Sequence, residues 1–179
     1  MVAKLRLKQL LLYAVFTSLA VFAAPSAYAG TYIALAPAQI KIKTDPGSTK
    51  PTMTDFRLGY EVDEHKFELA VMSSIDDDNL NELVTDIPSA RSVFYRYTPD
   101  PRSSVKIEFI LGYSQVEIES TYINVPTSSE TFEGVSYGIG IEEALQSIPQ
   151  LKFKVDFIQM YKGDDLNLRL FSVGFRYEF

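Results

Sequence analysis

The sequence predicts an all-β protein of eight strands, and three observations support this prediction. Apolar residues alternate with polar or small residues along most of the chain after residue 30, which is the period of a β-strand. No window in the same region keeps a helical apolar period for three turns. Turn residues separate the alternating segments, and a length of 179 residues leaves room for one domain.

The first residues predict an export signal rather than a strand. A basic start precedes an apolar run over residues 10–24, and a small-x-small site that ends at Ala29 follows. These are the parts of a secretory signal peptide, and the run is shorter than the roughly 20 apolar residues that a membrane anchor needs. We therefore expect a signal peptide over residues 1–29 and one mature domain over residues 30–179.

The composition excludes several kinds of chemistry. The chain has no Cys and one His, which rules out a disulfide framework, a thiol nucleophile and any metal site built on several His or Cys residues. Cleavage of the signal removes three of the 17 cations and no acid, so 14 cations remain against 23 acids, a net charge of minus nine. Nucleic acid is not an expected partner, because its phosphates would be repelled.

Eight segments carry the strand period, and they are joined by connections of alternating length. The segments lie at residues 30–43, 56–62, 66–71, 93–97, 105–114, 134–141, 151–158 and 171–179. From the second segment onward the connections are short (63–65), long (74–91), short (98–104), long (119–131), moderate (142–150, which could hold a helical turn) and short (162–165). Short turns that alternate with longer loops are typical of outer-membrane barrels.

The two faces of the strands differ in a way that assigns an inside and an outside. The large apolar residues share one face, and six glycines lie on the other: Gly59, Gly112, Gly134, Gly138, Gly140 and Gly174. The interior of an eight-stranded barrel is only just wide enough for side chains, so we expect the small and polar face inside and the apolar face against lipid. The prediction is therefore an eight-stranded antiparallel up-and-down transmembrane β-barrel.

The same parity predicts which charges fill the barrel. Seven cations and six anions are expected inside: Arg57, Lys66, Arg96, Lys106, Lys152, Lys154 and Arg176, with Glu61, Glu68, Glu108, Glu142, Asp156 and Glu178. An unpaired buried charge costs several kcal/mol, so this near balance favours an interior closed by ion pairs. A charge-lined conduit for ions or water is the alternative.

The C-terminal strand carries a family resemblance. Val173, Phe175, Tyr177 and the terminal Phe179 resemble the assembly signal of bacterial outer-membrane proteins, and the hairpin formed by residues 138–142 and 151–156 is similar to that of small barrels of the outer membrane protein A and X type. The resemblance implies eight strands and insertion by the barrel-assembly machinery. Trp is absent, so the aromatic belts of the barrel must come from other residues. The residues expected in these belts are Tyr60, Phe67, Tyr97, Tyr113, Tyr161 and Tyr177.

The sequence predicts no catalytic site. Known lipid A enzymes among such barrels use a His with a Ser and an acid, whereas His65 lies in the expected turn 63–65 with no Ser nearby, so a solvated histidine is the prediction. The acidic residues Asp76, Asp78 and Glu82 in the long loop are a weak metal candidate, because they lack the glycine and ligand spacing of a calcium loop. We expect no metal and no cofactor.

The predicted function is that of a non-enzymatic integral barrel of the Gram-negative outer membrane, which serves envelope integrity or surface interaction through its extracellular loops. A narrow ion or solute pore and a lipid A-modifying enzyme are the alternatives in function, and a soluble ligand-binding barrel is the structural one. The expected partners are outer-membrane lipid and lipopolysaccharide, the assembly machinery during insertion, and a host or phage surface at the loops. A monomer is expected.

Overall fold

The computed structural model describes residues 29–44, 47–122 and 124–179, and most of this part of the chain is β-strand. These ranges contain no helix, and so no helical membrane span. The predicted signal peptide lies outside the described residues except for Ala29, which begins the first strand. The strands in the described ranges are β1 (Ala29–Thr44), β2 (Gly47–Thr49), β3 (Thr52–Val62), β4 (His65–Asp76), β5 (Asp78–Leu80), β6 (Leu83–Tyr97), β7 (Val105–Tyr122), β8 (Ser128–Leu145), β9 (Ile148–Lys162) and β10 (Asn167–Glu178).

The eight long strands close into a barrel in which every neighbouring pair is antiparallel. The order around the wall is β1-β3-β4-β6-β7-β8-β9-β10, and β10 returns to pair with β1, from Tyr32 opposite Glu178 to Lys43 opposite Asn167. The short β2 and β5 continue the paths of β3 and β4, and pair with β1 and β6. Closure leaves no long strand with an open edge, and the predicted eight-stranded up-and-down barrel is confirmed.

Two connections that the sequence analysis treats as long loops are mostly strand. The segment 74–91 is covered by the end of β4, by β5 and by the start of β6, which turn at Asn81 and Glu82. In the segment 119–131, β7 runs to Tyr122 and β8 begins at Ser128, so most of this segment is strand as well. The prediction of long loops was wrong here. The strands and their backbone hydrogen bonds continue beyond the apolar part of the wall, into segments whose side chains are mostly polar.

The predicted helical turn within 142–150 and the predicted place of His65 also need correction. Strand β8 runs to Leu145, which pairs with Ile148 across a two-residue turn, and the register shifts beside Pro149. A proline offers no N–H to a ladder, so the irregularity is absorbed there without a helix. His65 is not in the turn, because it is the first residue of β4 and pairs with Val62.

The outer wall changes its polarity part-way along the strands, as β7 shows. From Val105 to Tyr113 the outward side chains are apolar and between 44% and 57% exposed, whereas Gln115, Glu117 and Glu119 point outward beyond them. Nine residues at about 3.4 Å each, tilted by roughly 40°, make a band about 23 Å tall, close to the lipid-facing band of outer-membrane barrels. Above this band the other strands also turn polar side chains outward, including Gln39, Lys41, Lys43, Ser73, Arg91, Glu133 and Arg169.

The apolar band lies nearer to the end that holds the chain termini. We call this part the periplasmic half, because the long hairpins of such barrels project on the extracellular side. The part beyond the band, where strands continue with a polar outer face, is the extracellular half. Strand therefore extends out of the membrane as a wall that water surrounds.

The aromatic residues expected in the belts lie on the outer wall, with one exception. Phe67, Tyr97, Tyr113 and Tyr177 are 40–55% exposed on the outer face. Tyr161 is the exception, because a β-bulge places it opposite Leu168 while Gln159 is opposite Arg169. The extra residue reverses the phase of the strand, so the Tyr161 ring packs inside, 5.6 Å from the Phe132 ring.

Candidate functional site

The interior of the periplasmic half is filled by ion pairs, which we call the ionic plug. It contains the thirteen charges that the sequence analysis placed inside, and also Asp55, which that analysis missed although it shares the parity of Arg57. With Asp55 the six anions become seven, equal to the seven cations. Each of these charges forms at least one ion pair within the described residues.

Arg96 on β6 is the centre of the plug. Its Nε donates to Glu68 at 2.6 Å, its Nη1 donates to Glu108 at 2.8 Å, and its two terminal nitrogens hold both oxygens of Asp156 at 2.9 and 2.7 Å. The side chain is fully buried, and its partners come from β4, β7 and β9. One guanidinium therefore ties four strands together with charge-assisted bonds, the strongest hydrogen bonds that a protein interior offers.

A second arginine extends the same network towards the extracellular half. Arg57 on β3 donates to both oxygens of Asp55 and, through Nη1, to Glu68 at 3.1 Å and to Asp156 at 2.8 Å. Its guanidinium carbon lies 5.3 Å from the centre of the Phe94 ring, within cation–π range. Lys154 Nζ, 2.7 Å from Glu68, completes this layer.

Nearer the periplasm, Arg176 on β10 holds the barrel seam closed. It donates to both oxygens of Glu142 at 2.8 and 2.9 Å and also to Glu61. Its guanidinium carbon lies 3.7 Å above the Tyr32 ring, and the Tyr32 hydroxyl donates to Glu68 at 3.0 Å. Lys66 pairs with Glu108 and Glu142 in the same layer.

Two glycines make room for this network. Gly59 lies opposite Tyr32 on the neighbouring strand, and a side chain there would occupy the space of the Tyr32 ring. Gly140 lies beside Arg96 and Asp156, where a Cβ atom would come within 2.8 and 2.6 Å of their polar atoms. The small residues on the inner face are therefore needed because long charged side chains cross the barrel at those levels.

The interior of the extracellular half is apolar, which the sequence analysis did not predict. A bridge of hydroxyls from Ser92, Ser114 and Ser136, with Oγ–Oγ distances of 2.7 and 2.6 Å, lies between the two halves. Beyond it is the apolar plug, a packed cluster formed mainly by Ala38, Ile40, Ile42, Met53, Met72, Ile87, Ala90, Val116, Ile118, Met160, Leu168 and Leu170. The expectation of a polar interior is thus correct only where lipid surrounds the wall.

A cavity of about 230 Å³ opens at the extracellular end above the apolar plug, and we call it the mouth cavity. Its floor is apolar and includes Ile42, Ile118 and Phe132, whereas Thr44, Ser128 and Glu130 contribute polar groups. Strands β2 and β5 form part of its rim, and the Asp78 carboxylate of β5 accepts a bond from the Lys50 backbone N–H at 2.6 Å. The cavity is therefore a shallow amphipathic cup that ends on packed side chains.

Within the described residues, neither the weak metal candidate nor the histidine lies in a cluster of metal ligands or beside a nucleophilic serine. Asp76 ends β4, Asp78 lies in β5 and Glu82 is in the turn that follows, and the described ranges hold no group of three His, Asp or Glu side chains placed to bind a metal ion. His65 Nδ1 lies 2.8 Å from the Tyr95 hydroxyl, and its ring lies near those of Tyr95 and Tyr97 at the periplasmic end. That position does not bring it to a serine.

The residues of the predicted assembly signal all lie on the outer face of β10 or beyond its end. Phe175 and Tyr177 are 50% and 43% exposed, and Phe179 is 73% exposed. The Phe179 N–H donates to the Thr31 carbonyl at 3.1 Å, and its ring meets that of Tyr177 edge-on. These aromatic side chains therefore remain on the surface after the barrel closes.

Comparison with known proteins agrees with this geometry. The sequence pattern of the family described as "Outer membrane protein beta-barrel domain" matches residues 10–179. The chain belongs to this family. Membership in the outer membrane protein beta-barrel domain family places the protein in the bacterial outer membrane, and it confirms the resemblance to small outer-membrane barrels.

Several solved structures have the same fold as this protein, although their sequences are less than 20% identical to it. Neisserial surface protein A is 18% identical with a TM-score of 0.65, and the match covers 83% of this chain and 97% of that one. Ail of Yersinia pestis, in complex with the heparin analogue sucrose octasulfate, is 17% identical with a TM-score of 0.62 over 84% and 99% of the two chains. OprG of Pseudomonas aeruginosa is 14% identical with a TM-score of 0.59 over 85% and 97%. No curated protein matches the chain in a sequence comparison.

Proposed function

We propose that this protein is a non-enzymatic, non-conducting outer-membrane barrel that serves surface interaction or envelope integrity through its extracellular half. The observation that supports this proposal most strongly is the filling of the barrel along its length. The ionic plug fills the interior of the periplasmic half, and the apolar plug fills the interior of the extracellular half. An ion that crossed would have to break buried ion pairs and then pass through packed aliphatic side chains, and both steps are costly.

A planar-bilayer recording tests this proposal against the pore alternative. The protein is refolded, inserted and held at moderate voltage, and a large porin in the same membrane provides the positive control. We expect no steady current from the wild-type barrel. A steady, ion-selective current would overturn the proposal and favour the narrow pore.

The charge at the extracellular half indicates what kind of surface it would contact. The described residues there include eleven carboxylates against six cations: Asp76, Asp77, Asp78, Glu82, Asp86, Glu117, Glu119, Glu130, Glu133, Asp164 and Asp165, against Lys41, Lys43, Lys50, Arg91, Lys162 and Arg169. A polyanion such as the sucrose octasulfate bound to Ail would meet net repulsion here. We infer that a soluble partner that approaches this end from outside the membrane is neutral or cationic.

Two labelled probes, heparin and an oligo-lysine peptide, test this charge assignment on the protein in nanodiscs. Oligo-lysine should bind, and its binding should weaken as salt is raised, whereas heparin should bind less. Replacing Asp76 and Asp77 by Asn and Glu82 by Gln should weaken oligo-lysine binding more than the matched changes of Asp63 and Asp100 to Asn and Glu64 to Gln at the periplasmic end. Stronger binding of heparin would contradict the inference.

The enzyme alternative receives no support from the position of His65. Its ring nitrogen contacts a tyrosine hydroxyl at the periplasmic end, and a catalytic histidine needs a nucleophile or a substrate proton within hydrogen-bond reach. Mass spectrometry of lipid A from deletion and wild-type cells tests this directly. We expect identical lipid A from both strains. A different lipid A mass in the deletion strain, returned to the wild-type mass when the gene is put back, would overturn the non-enzymatic assignment.

A further inference from the structure

Three exposed cations lie together on the outer face of the extracellular half, across the seam between β1 and β10. Lys41 lies opposite Arg169, and Lys43 lies one outward position further along β1. With Thr44, Gly47 and Ser48 of the neighbouring β1–β2 hairpin they line a groove of about 340 Å³, which we call the basic groove. Arg169 Nε donates to Gln159 Oε1 at 3.2 Å, and no carboxylate of the described residues forms an ion pair with any of the three cations. Within the described part of the chain their positive charge is therefore not neutralised.

The height of the groove indicates which ligand it meets. The outward row directly below Lys41 and Arg169 contains Phe171, which lies opposite Phe157 on β9, with ring centres 4.8 Å apart. This aromatic pair belongs to the upper edge of the apolar band, where acyl chains end and headgroups begin. A groove of this kind lies where the headgroup phosphates of the outer leaflet are found.

The opposite side of the same wall has the opposite charge. Around the barrel, β6 and β7 lie farthest from the β1–β10 seam. Above the apolar band the outward charges there are Arg91 on β6 and Glu117 and Glu119 on β7, and Glu133 follows on β8, so the net charge is negative. An anionic headgroup would be repelled on that side and attracted on the other. The wall can therefore hold a phosphate-bearing lipid in one place rather than around its whole circumference.

We propose that the basic groove binds the phosphate group of an outer-leaflet lipid whose acyl chains lie against Phe157 and Phe171. The Arg169 guanidinium donates two hydrogen bonds to the phosphate, while the two lysines bring positive charge on flexible side chains. The aliphatic stems of the lysines extend along the wall and bring their charges to the headgroup level. Clusters of basic residues beside an apolar membrane surface are a general means of holding anionic lipid.

Native mass spectrometry of the folded protein in detergent tests the proposal with three probes: bisphosphorylated lipid A, its dephosphorylated form and inorganic phosphate. The test variant carries Lys41→Gln, Lys43→Gln and Arg169→Gln. The matched control carries Lys50→Gln, Arg91→Gln and Arg102→Gln, which removes the same charge from exposed positions elsewhere. Both variants are first checked for the heat-modifiable gel mobility of the wild type.

We expect the test variant to lose roughly hundredfold in affinity for bisphosphorylated lipid A, from the contribution of a basic residue near an anionic surface taken three times. The control should keep wild-type affinity, and dephosphorylated lipid A should bind the wild type and the test variant equally weakly. If the triple variant fails to fold, Lys43→Gln alone should still lose roughly fivefold.

Three results would overturn the proposal. Equal loss in the test variant and the control would mean that net charge alone is measured. Complete displacement of the lipid by millimolar inorganic phosphate would mean that the groove binds free phosphate. Dimers that the test variant abolishes, with lipid binding unchanged, would mean that the groove contacts the acidic side of a second copy.

Discussion

The periplasmic and extracellular halves of this barrel share the same strands but have opposite polarity. In the periplasmic half the outer face is apolar and the inner face carries Arg57, Arg96 and Arg176 with their carboxylates. In the extracellular half the outer face is polar and the inner face is aliphatic. The surroundings explain the difference, because lipid excludes polar groups from the outside of a wall and water excludes apolar groups.

The interior of each half is therefore filled by a different kind of interaction. Ion pairs fill the region where lipid surrounds the wall, and hydrophobic packing fills the region where water surrounds it. One continuous antiparallel ladder supports both, so the hydrogen bonds of the backbone do not depend on which medium lies outside. The following substitutions test the comparison by placing matched changes in the two halves.

The largest effect is expected for Arg96→Met in the ionic plug. This change leaves Glu68, Glu108 and Asp156 without their shared partner, and removal of one partner from a buried pair costs about 3–5 kcal/mol. The free energy of unfolding in urea should fall by that amount. Arg91→Met, at an exposed position of the same strand, should change the free energy of unfolding by less than about 0.5 kcal/mol. Equal effects of the two substitutions would mean that water reaches the ionic plug.

Ile40→Ala tests the apolar plug. Ile40 is fully buried inside β1, and such truncations cost about 2–5 kcal/mol because a cavity remains. On the same strand, Ile33 faces outward in the apolar band and is 36% exposed. Ile33→Ala should cost much less, because lipid chains can fill the space. A larger loss for Ile33→Ala in urea unfolding would place the packed core on the wrong face.

The outer wall is compared by introducing one lysine in each half. Phe175→Lys places a charge in the apolar band, and a lysine near the bilayer midplane costs about 2–4 kcal/mol. Gln115→Lys places the same charge on the outer wall above Tyr113, where we expect less than about 0.5 kcal/mol. The unfolding free energies of both variants, refolded in the same lipid vesicles, should differ accordingly. Similar losses would mean that the band continues past Tyr113.

The smallest effect is expected at the boundary between the halves. Ser114→Ala removes the hydroxyl that lies between Ser92 and Ser136, and a lost hydrogen bond of this kind costs about 1 kcal/mol. Gly112, two residues away on the same strand, is not suited to this test, because any side chain there would collide with Phe94. A loss above about 3 kcal/mol in urea unfolding would show that the serines belong to the ionic plug rather than to a boundary.

The alternation of residues predicted much of the fold because the pleat repeats every two residues. It predicted strand number, closure and the direction of Arg57 and Glu108 from sequence alone. It did not predict that Val116 and Ile118 lie inside, because parity separates two faces without saying which medium each one meets. The local composition gives that signal, since Gln115, Glu117 and Glu119 surround them on the opposite face.

Other features could not be read from a strand pattern. Tyr161 turns inward because Met160 forms a bulge between Gln159 and Tyr161, and one inserted residue changes the parity without any signal in the composition. The basic groove joins Lys41 on the first strand to Arg169 on the last, and only the closing register brings them together. Sites that depend on closure across the seam need coordinates.

Cysteine labelling along the outer face of β7 tests the inversion of polarity most directly. The native chain has no cysteine, so single variants at Ile107, Leu111, Gln115 and Glu119, and at inward Val116, can each be probed with a membrane-impermeant maleimide on intact cells. We predict labelling at Gln115 and Glu119, protection at Ile107 and Leu111 by lipid, and protection at Val116 by packing. Protection of Gln115 and Glu119 together with labelling of Val116 would contradict the account.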